Sequence, residues 1–412
     1  MARSLTPRDC HALMNLLVKE ATGQDATIQV VDSSTFVSAG ELVLATGTEN
    51  VLNSLSIVLG RTIFASRPYS AKLKLMEVPS DLYQTRLRKI SFYSKEAQAS
   101  GDWNTQNATN LAEGYDNGNN GGQSTASMWE QHQTPALEMN FAGVSVWQYP
   151  VTIYDNQLKM AFRSESDFAQ FVAGIMTEAQ NDIEQEKEAF NRMTLVNKIG
   201  AVYDLNLAGT VINLTSLFND EYGTNYTAEQ LRTTYIKEFS AFFVEKFKLA
   251  SDYLTNRSAK YHWTADKTIG ADTFKVLRHT PKADQRAFLY SPLFTKVQTQ
   301  VFSDIFNPQY LDVNNYEGVE YWQNINDPSA VKVTPAIPDT AGTQGGQVAG
   351  QTVNLSYVVG ILYDKDAMMT CHNFEGAETT PIEARKRYRN VWYSFAKNAI
   401  NDATENAIIF IM

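Results

Sequence analysis

The sequence predicts an α+β chain organised around one extended arm and one long helix, and three observations carry that expectation. Residues 82–93 and 137–153 alternate in polarity and flank an Asn/Gly-rich segment that contains GYDNGNNGG from Gly114 to Gly122. That is the period-2 pattern of two half-covered strands running out and back. A helical run follows, opened by Ser164 with Asp167 as a capping box. From Lys260 onward strand and helix signals mix. An arm of about forty ångströms at strand rise cannot bury both faces against a compact body of its own, so it needs a neighbour.

Taken in order, residues 1–60 read as a short amphipathic helix, a strand-like ATIQVVD (26–32) and a second helix over 49–59. Residues 63–77 read as mixed extended chain. On the outgoing limb Tyr83, Thr85 and Leu87 oppose Gln84, Arg86 and Arg88. On the returning limb Leu137, Met139 and Phe141 oppose Glu138 and Asn140, until Ala142-Gly143 breaks the phase as a bulge would. Phe168, Phe171, Val172, Ile175, Ala179, Ile183, Phe190 and Met193 then recur at helical spacing up to Gly200, a helix of roughly 50 Å. Thr227 with Gln230 opens a second helix carrying Leu231, Tyr235, Phe239, Phe242, Phe243, Phe247 and Leu254. RAFLYS (286–291) reads as a strand, Pro292 suits the first turn of the next helix, and that helix ends at Asn307-Pro308. Residues 334–352 are Pro/Gly/Gln-rich and read as a mobile loop. Strands are expected again over 354–363, 384–395 and 406–411. No internal repeat of fixed period is present, which argues against solenoids and propellers.

Composition sets limits on function. With 412 residues, 43% hydrophobic and 19% charged, the chain has room for two or three domains and reads as ordered and soluble. Twenty tyrosines and twenty-one phenylalanines supply broad amphipathic contact surface. Thirty-five basic residues against forty-five acidic give a net charge of −10, which argues against nucleic-acid binding as the main task. An acidic wall facing DNA would instead keep the polymer from sticking. Two cysteines, Cys10 and Cys371, build no disulfide framework. The first twenty residues lack the pattern of a signal peptide, and no window approaches the ~20 apolar residues of a membrane helix. A chain made in the cytosol is expected.

The sequence offers little to catalysis. No phosphate loop, dinucleotide fingerprint, H-E-x-x-H or G-x-S-x-G occurs, and five histidines are scattered along the chain. Cys371-His372 reads as a loop after a strand and Asp364/Asp366 as strand-end solvation, so no catalytic, cofactor or metal residue is assigned. Acids on the long helix (Glu178, Asp182, Glu184, Glu188) and the basic trio Arg86, Arg88 and Lys89 each have an ordinary solvated reading. Present in one chain, they also suggest a basic arm docking on an acidic helix, where several weak pairs in register set orientation.

This order of elements resembles the major capsid proteins of tailed bacteriophages, with the Hong Kong 97-type fold. The resemblance spans essentially the whole chain and is architectural, without a diagnostic short motif. It rests on the arm, the long helix, the Thr227-capped helix, RAFLYS with its helix, EARKRYRNVWYSF (383–395) as the long peripheral strand and ENAIIFIM (405–412) as the closing strand. It implies an N-terminal arm (1–60), an extended loop (82–153) and a peripheral domain (61–81, 154–204 and 366–401) with its spine helix at 164–200. Residues 205–365 and 402–412 would form the axial domain. It further implies self-assembly into pentamers and hexamers of an icosahedral or prolate shell around double-stranded DNA. Scaffolding protein and portal are the expected partners, and no membrane is. Arg86, Arg88 and Lys89 of one copy would meet Glu178, Asp182, Glu184 and Glu188 of the next. No fused scaffolding segment precedes the first strand, and nothing marks a cross-linking catalyst. The alternatives are an encapsulin-like compartment of the same fold, a surface adhesin or carbohydrate-binding protein, and an enzyme with a rare site.

Overall fold

The computed structural model describes residues 7–22, 30, 33–46, 70–78, 86–94, 135–142, 145–154, 161–162, 165–269, 272–300, 315–339 and 346–412. Its helices are α1 (Pro7–Thr22), α2 (Ser33–Ala45), α3 (Glu165–Leu205), α4 (Leu214–Tyr222), α5 (Ala228–Thr233), α6 (Ile236–Thr255) and α7 (Ser291–Gln300). The strands are β1 (Arg86–Phe92), β2 (Ala136–Ala142), β3 (Ser145–Tyr154), β4 (Val211–Asn213), β5 (Lys267–Ile269), β6 (Asp272–Phe274), β7 (Gln285–Tyr290) and β8 (Tyr316–Val319). They continue with β9 (Val331–Val333), β10 (Ala336–Pro338), β11 (Gln347–Ala349), β12 (Val353–Leu355), β13 (Val358–Asp364), β14 (Met368–Thr379), β15 (Tyr388–Asn401) and β16 (Ala407–Ile411).

Helix α3 is 41 residues long, about 60 Å at the α-helical rise, and it runs through two hydrophobic cores. Its first half sends Phe168 and Ile183 into a core shared with Met14 and Leu17 of α1, Phe36 and Val43 of α2, and Val391 and Tyr393 of β15. The described N-terminal residues are thus a helix pair packed on the body, stapled by Asn15, whose side chain accepts from the Val30 amide (2.9 Å). The strand expected over 26–32 and the helix over 49–59 fall outside the described residues, except for Val30, which is not in a strand. The second half of α3 sends Leu195, Val196, Ile199 and Val202 into the larger core.

That larger core surrounds a five-stranded sheet of order β4-β16-β13-β7-β8. Strand β16 pairs antiparallel with β13 and parallel with β4. Every residue of β13 and β16 is buried, the continuous apolar burial of strands covered on both faces. Phe239, Phe242, Phe243 and Phe247 of α6 pack against them, with Phe243 and Phe247 meeting the Phe410 ring at 5.7 and 5.4 Å. A separate three-stranded antiparallel sheet, β14-β15-β3, takes the long strands.

Several elements differ from the sequence reading. The returning limb is two strands in two sheets: β2 pairs with β1, whereas β3 joins β15. Only β1 and β2 form the free-standing arm. Helix α3 runs through Gly200 and ends at Leu205, and the next residue, Asn206, adopts a left-handed conformation (φ 40°) as asparagines just past a helix do. Gly200 serves close approach, since a Cβ there would meet Val333 Cγ1 at 2.5 Å and Pro335 at 3.2 Å. The Thr227/Gln230 capping box forms with both hydrogen bonds, but its helix breaks before Ile236. The Gln230 carbonyl accepts from both Thr234 and Tyr235, a widened turn, and Tyr235 stacks on Tyr226 at 4.0 Å. Residues 334–352 hold the hairpin β10–β11, tied to α3 through Asn197 and Asp204, in place of a plain loop. The helix end expected at Asn307 and the cap at Ser164 lie outside the described residues.

Candidate assembly interface

Among the described residues the arm β1–β2 is a two-stranded sheet whose strands pair with no other, and such a hairpin is marginal without something beneath it. Its register sets Lys89 opposite Met139, Ser91 opposite Leu137 and Phe92 opposite Ala136. Residues directly opposed share a face. One face therefore carries Lys89 and Ser91 with Leu137, Met139 and Phe141. The other carries Arg86, Arg88, Ile90 and Phe92 with Ala136, Glu138 and Asn140.

The first face docks on its own chain. Lys89 Nζ sits between the carboxylates of Asp402 and Glu405, in the turn before β16. Arg278 donates to Ser91 Oγ (2.6 Å) and pairs with Glu405 (3.2 Å). Tyr93 packs with Phe274, Val276 and Leu137, and its hydroxyl donates to the Ala265 carbonyl (2.6 Å). The Ser94 amide donates to the Lys275 carbonyl (3.0 Å), an antiparallel bridge.

The electrostatics of this seat follow from burial. Desolvation alone would raise the Asp402 pKa, but Lys89, the Thr404 amide and Lys198 outweigh it and hold it below the ordinary range. Glu405 goes the other way: burial pushes it up, and Lys89 and Arg278 offset only part of that. Lys198, fully buried, is driven down to about 8 by desolvation against the pull of Asp402, and its Nζ donates to the Asp402 carbonyl (2.6 Å). Two carboxylates in so dry a place need cations near them: Arg278 stands beside Glu405 and Lys198 beside Asp402, and Lys89 of the arm is the cation the two share.

Between the arm and α3 the chain leaves a trough of about 1760 Å³, bounded by Leu137, Met139 and Phe141 above and by Gln185, Ala189 and Met193 below. Met193 is 59% exposed. On the outer face of the arm Ile90 and Phe92 are 49% and 68% exposed.

The expected site residues are thus divided. Lys89 faces inward to its own Asp402 and Glu405, whereas the register puts Arg86 and Arg88 on the outer face. The side chains of Arg86, Arg88 and Glu178 lie outside the described residues. Asp182 is exposed and accepts from the Tyr149 hydroxyl. Glu184 and Glu188 differ from the expectation of an open acidic face, because they are buried under residues 70–78. Glu184 accepts from the Ala71 amide (3.0 Å) and Lys187 (2.9 Å), and Glu188 from the Lys72 amide (3.4 Å) and Arg192 (2.6 Å). The reason is local: an extended strap crosses the helix, its amides need acceptors, and these carboxylates provide them. Asp364 accepts from Thr280 Oγ1 (2.7 Å) and from the Asp366 amide (2.9 Å). His372 contacts Asn191 Oδ1 (3.2 Å). Asp402, Glu405 and Arg278 escaped sequence reading. Asp402 accepts from the Thr404 amide and hydroxyl, both at 2.8 Å, a turn-forming role that leaves no periodic signal.

A family model of Phi29-like phage major capsid proteins matches residues 14–411. The chain belongs to that family. Membership makes this capsid protein a structural, shell-forming component of a phage particle. Among solved structures it is similar to a chain of the Staphylococcus phage Andhra capsid, at 11% identity and a TM-score of 0.50, covering 83% of this chain and 84% of that one. A chain in the structure of the head fiber and inner core protein gp22 of native bacteriophage P68 matches at 11% identity and a TM-score of 0.49, with 83% and 84% covered. No match was found among curated proteins. At 11% identity the likeness to the Andhra capsid chain speaks for the fold alone, which is the α+β phage-capsid fold of the Hong Kong 97 type.

Proposed function

We propose that copies of this capsid protein assemble into pentamers and hexamers that close an icosahedral or prolate shell around a double-stranded DNA genome. Scaffolding protein and portal act as partners, and assembly takes place in the host cytoplasm. The family match over residues 14–411 carries the reading, and because that family is a phage one it favours a genome shell over an encapsulin-like compartment. The domain division follows the same reading, with an N-terminal region over 1–60 and an extended loop, expected over 82–153, whose last strand β3 joins the peripheral sheet. The peripheral domain holds the spine helix, expected over 164–200 and formed by α3 (Glu165–Leu205), and the axial domain is built on 205–365 and 402–412. Arg86 and Arg88, on the outer face of the arm beside exposed Ile90 and Phe92, meet a neighbour's Glu178 and Asp182. Glu184 and Glu188 already have partners in their own chain and do not enter this contact. Each such pair is weak, and repetition across a closed shell makes the sum strong while single contacts stay reversible.

The test is electron microscopy of the expressed chain, alone and with a co-expressed scaffold. Closed shells of uniform size with fivefold vertices are expected. A chain that stays monomeric by light scattering under both conditions overturns the reading.

A further inference from the structure

We infer that the tip of the long β14–β15 hairpin is a phosphate-binding finger through which the capsid protein touches double-stranded DNA. The inference deepens the proposed shell reading by naming a contact with the enclosed genome, and it rests on that reading.

The tip carries RKRYR (385–389) in a chain whose net charge is −10. Arg385, Lys386 and Arg387 are exposed, and among the described residues neither Arg385 nor Lys386 forms an ion pair. One acid, Glu383, stands in the turn, and its carboxylate is folded back onto the Lys386 amide (2.5 Å). The Glu383 amide donates to the Tyr388 carbonyl (3.0 Å) and the Arg387 amide to the Glu383 carbonyl (2.8 Å), which closes the turn. Behind it Tyr388 packs on Tyr154, with ring centres 5.9 Å apart. The bases are therefore displayed on a pinned scaffold, which lowers the ordering cost of binding. Arg387 points the same way. Its φ is 54°, in the left-handed region that glycine and asparagine fill with least strain. A bulky cation held there against backbone preference argues that its charge is used.

The geometry also selects the partner. Consecutive residues of a tight turn project in different directions, so three adjacent bases cannot converge on one pair of carboxylates. They need anions on several sides, and duplex DNA carries one charge per about 1.7 Å of its axis. The acidic remainder of the chain does not cancel the finger, because at about 0.1 M salt exposed charges more than about 10 Å apart are screened. It does confine the contact to the finger. Binding is therefore weak, without base readout, and limited to roughly two or three phosphates per copy.

The experiment measures binding of the unassembled full chain to a short mixed-sequence duplex by fluorescence anisotropy, between about 50 and 200 mM salt. Two or three phosphate contacts predict that affinity falls roughly three- to sixfold for each doubling of salt. In a chain carrying Arg385→Gln, Lys386→Gln and Arg387→Gly, the binding and its salt dependence should disappear. The melting temperature should hold or rise, because glycine relieves the backbone at position 387. A lower melting temperature would mean that the bases serve the turn itself, and it overturns the inference. Equal binding by the variant, or no binding by the wild type, does the same. Stronger binding to polyglutamate than to the duplex also overturns it and gives the finger to an acidic protein surface. A second readout applies in particles: chemical acetylation of Lys386, followed by mass spectrometry, should be blocked in DNA-filled shells and restored in emptied ones. Equal acetylation in both would sink the genome contact while leaving shell formation intact. Absence of shells by microscopy is instead the failure of the shell reading, and the duplex measurement stands apart from it.

Discussion

Strands β13 and β16 and the arm β1–β2 represent two ways of finishing a sheet. In the five-stranded sheet, β13 and β16 are buried at every residue, and α6 closes the face with a row of phenylalanines. The arm instead alternates apolar and polar residues, and among the described residues it has only two strands. One of its faces is held by charge and by a small apolar cluster, and the other leaves Ile90 and Phe92 in solvent. The sheet is complete within one chain, whereas the arm is complete only at its inner face. Stability and assembly should therefore respond to different residues.

The largest effect belongs to the finished sheet. Phe410 is fully buried between Phe243 and Phe247, so Phe410→Ala should cost about 4 kcal/mol through lost burial and the cavity left behind. The urea midpoint of the unassembled chain, followed by circular dichroism, measures it. A loss below about 1 kcal/mol would mean that the sheet is not the stabilising core. A second probe of the finished body is pH. Burial first, then Lys187 and Lys397, drives His372 down to about 4, so the folded state keeps it neutral where the unfolded chain protonates. Its contribution is intact above the unfolded value near 6.5 and is lost as pH falls toward 4, about 3 kcal/mol in all. His372→Asn should flatten that part of the profile of melting temperature against pH, and a profile that keeps its slope would assign the effect to other groups.

The arm should answer more locally. Lys89→Met leaves Asp402 and Glu405 without their shared cation, and because Lys89 is partly exposed the cost is set at about 2 kcal/mol. Amide exchange over 89–93 should quicken roughly thirtyfold, with the melting temperature of the body nearly unchanged. Global destabilisation of the same size would show that arm and body form one cooperative unit, and the contrast between them would be lost.

Which parts were readable in the sequence follows from the range of the forces involved. The long helix, the Thr227 capping box and the closing strand announce themselves within a few residues, because periodicity and capping are local. The seat does not. Lys89 meets partners 313 and 316 positions away, and the turn that presents them has no period. Glu184 and Glu188 look like a solvated helix face, since nothing in α3 itself shows that the amides of Ala71 and Lys72 need them. Gly200 carries the signature of a helix stop and is in fact a contact point for Val333 and Pro335. In each case the local pattern was legible and the identity of the partner was not.

The smallest effect on stability is the most telling for assembly. Phe92 is 68% exposed on the outer face of the arm, so Phe92→Ser removes almost no burial in the single chain and should shift its stability by less than about 0.5 kcal/mol. In a shell the same ring is expected to lie under a neighbour, where burying a phenylalanine stabilises by about 2 kcal/mol, repeated in every copy. Particle counts by electron microscopy should therefore fall sharply while the melting curve of the unassembled chain stays where it was. If shells form at the wild-type yield, the outer face is ordinary surface, and association rests on other parts of the chain. If instead the single chain is destabilised along with the shell, Phe92 has a partner within its own chain and the two faces of the arm are not as different as their exposure indicates.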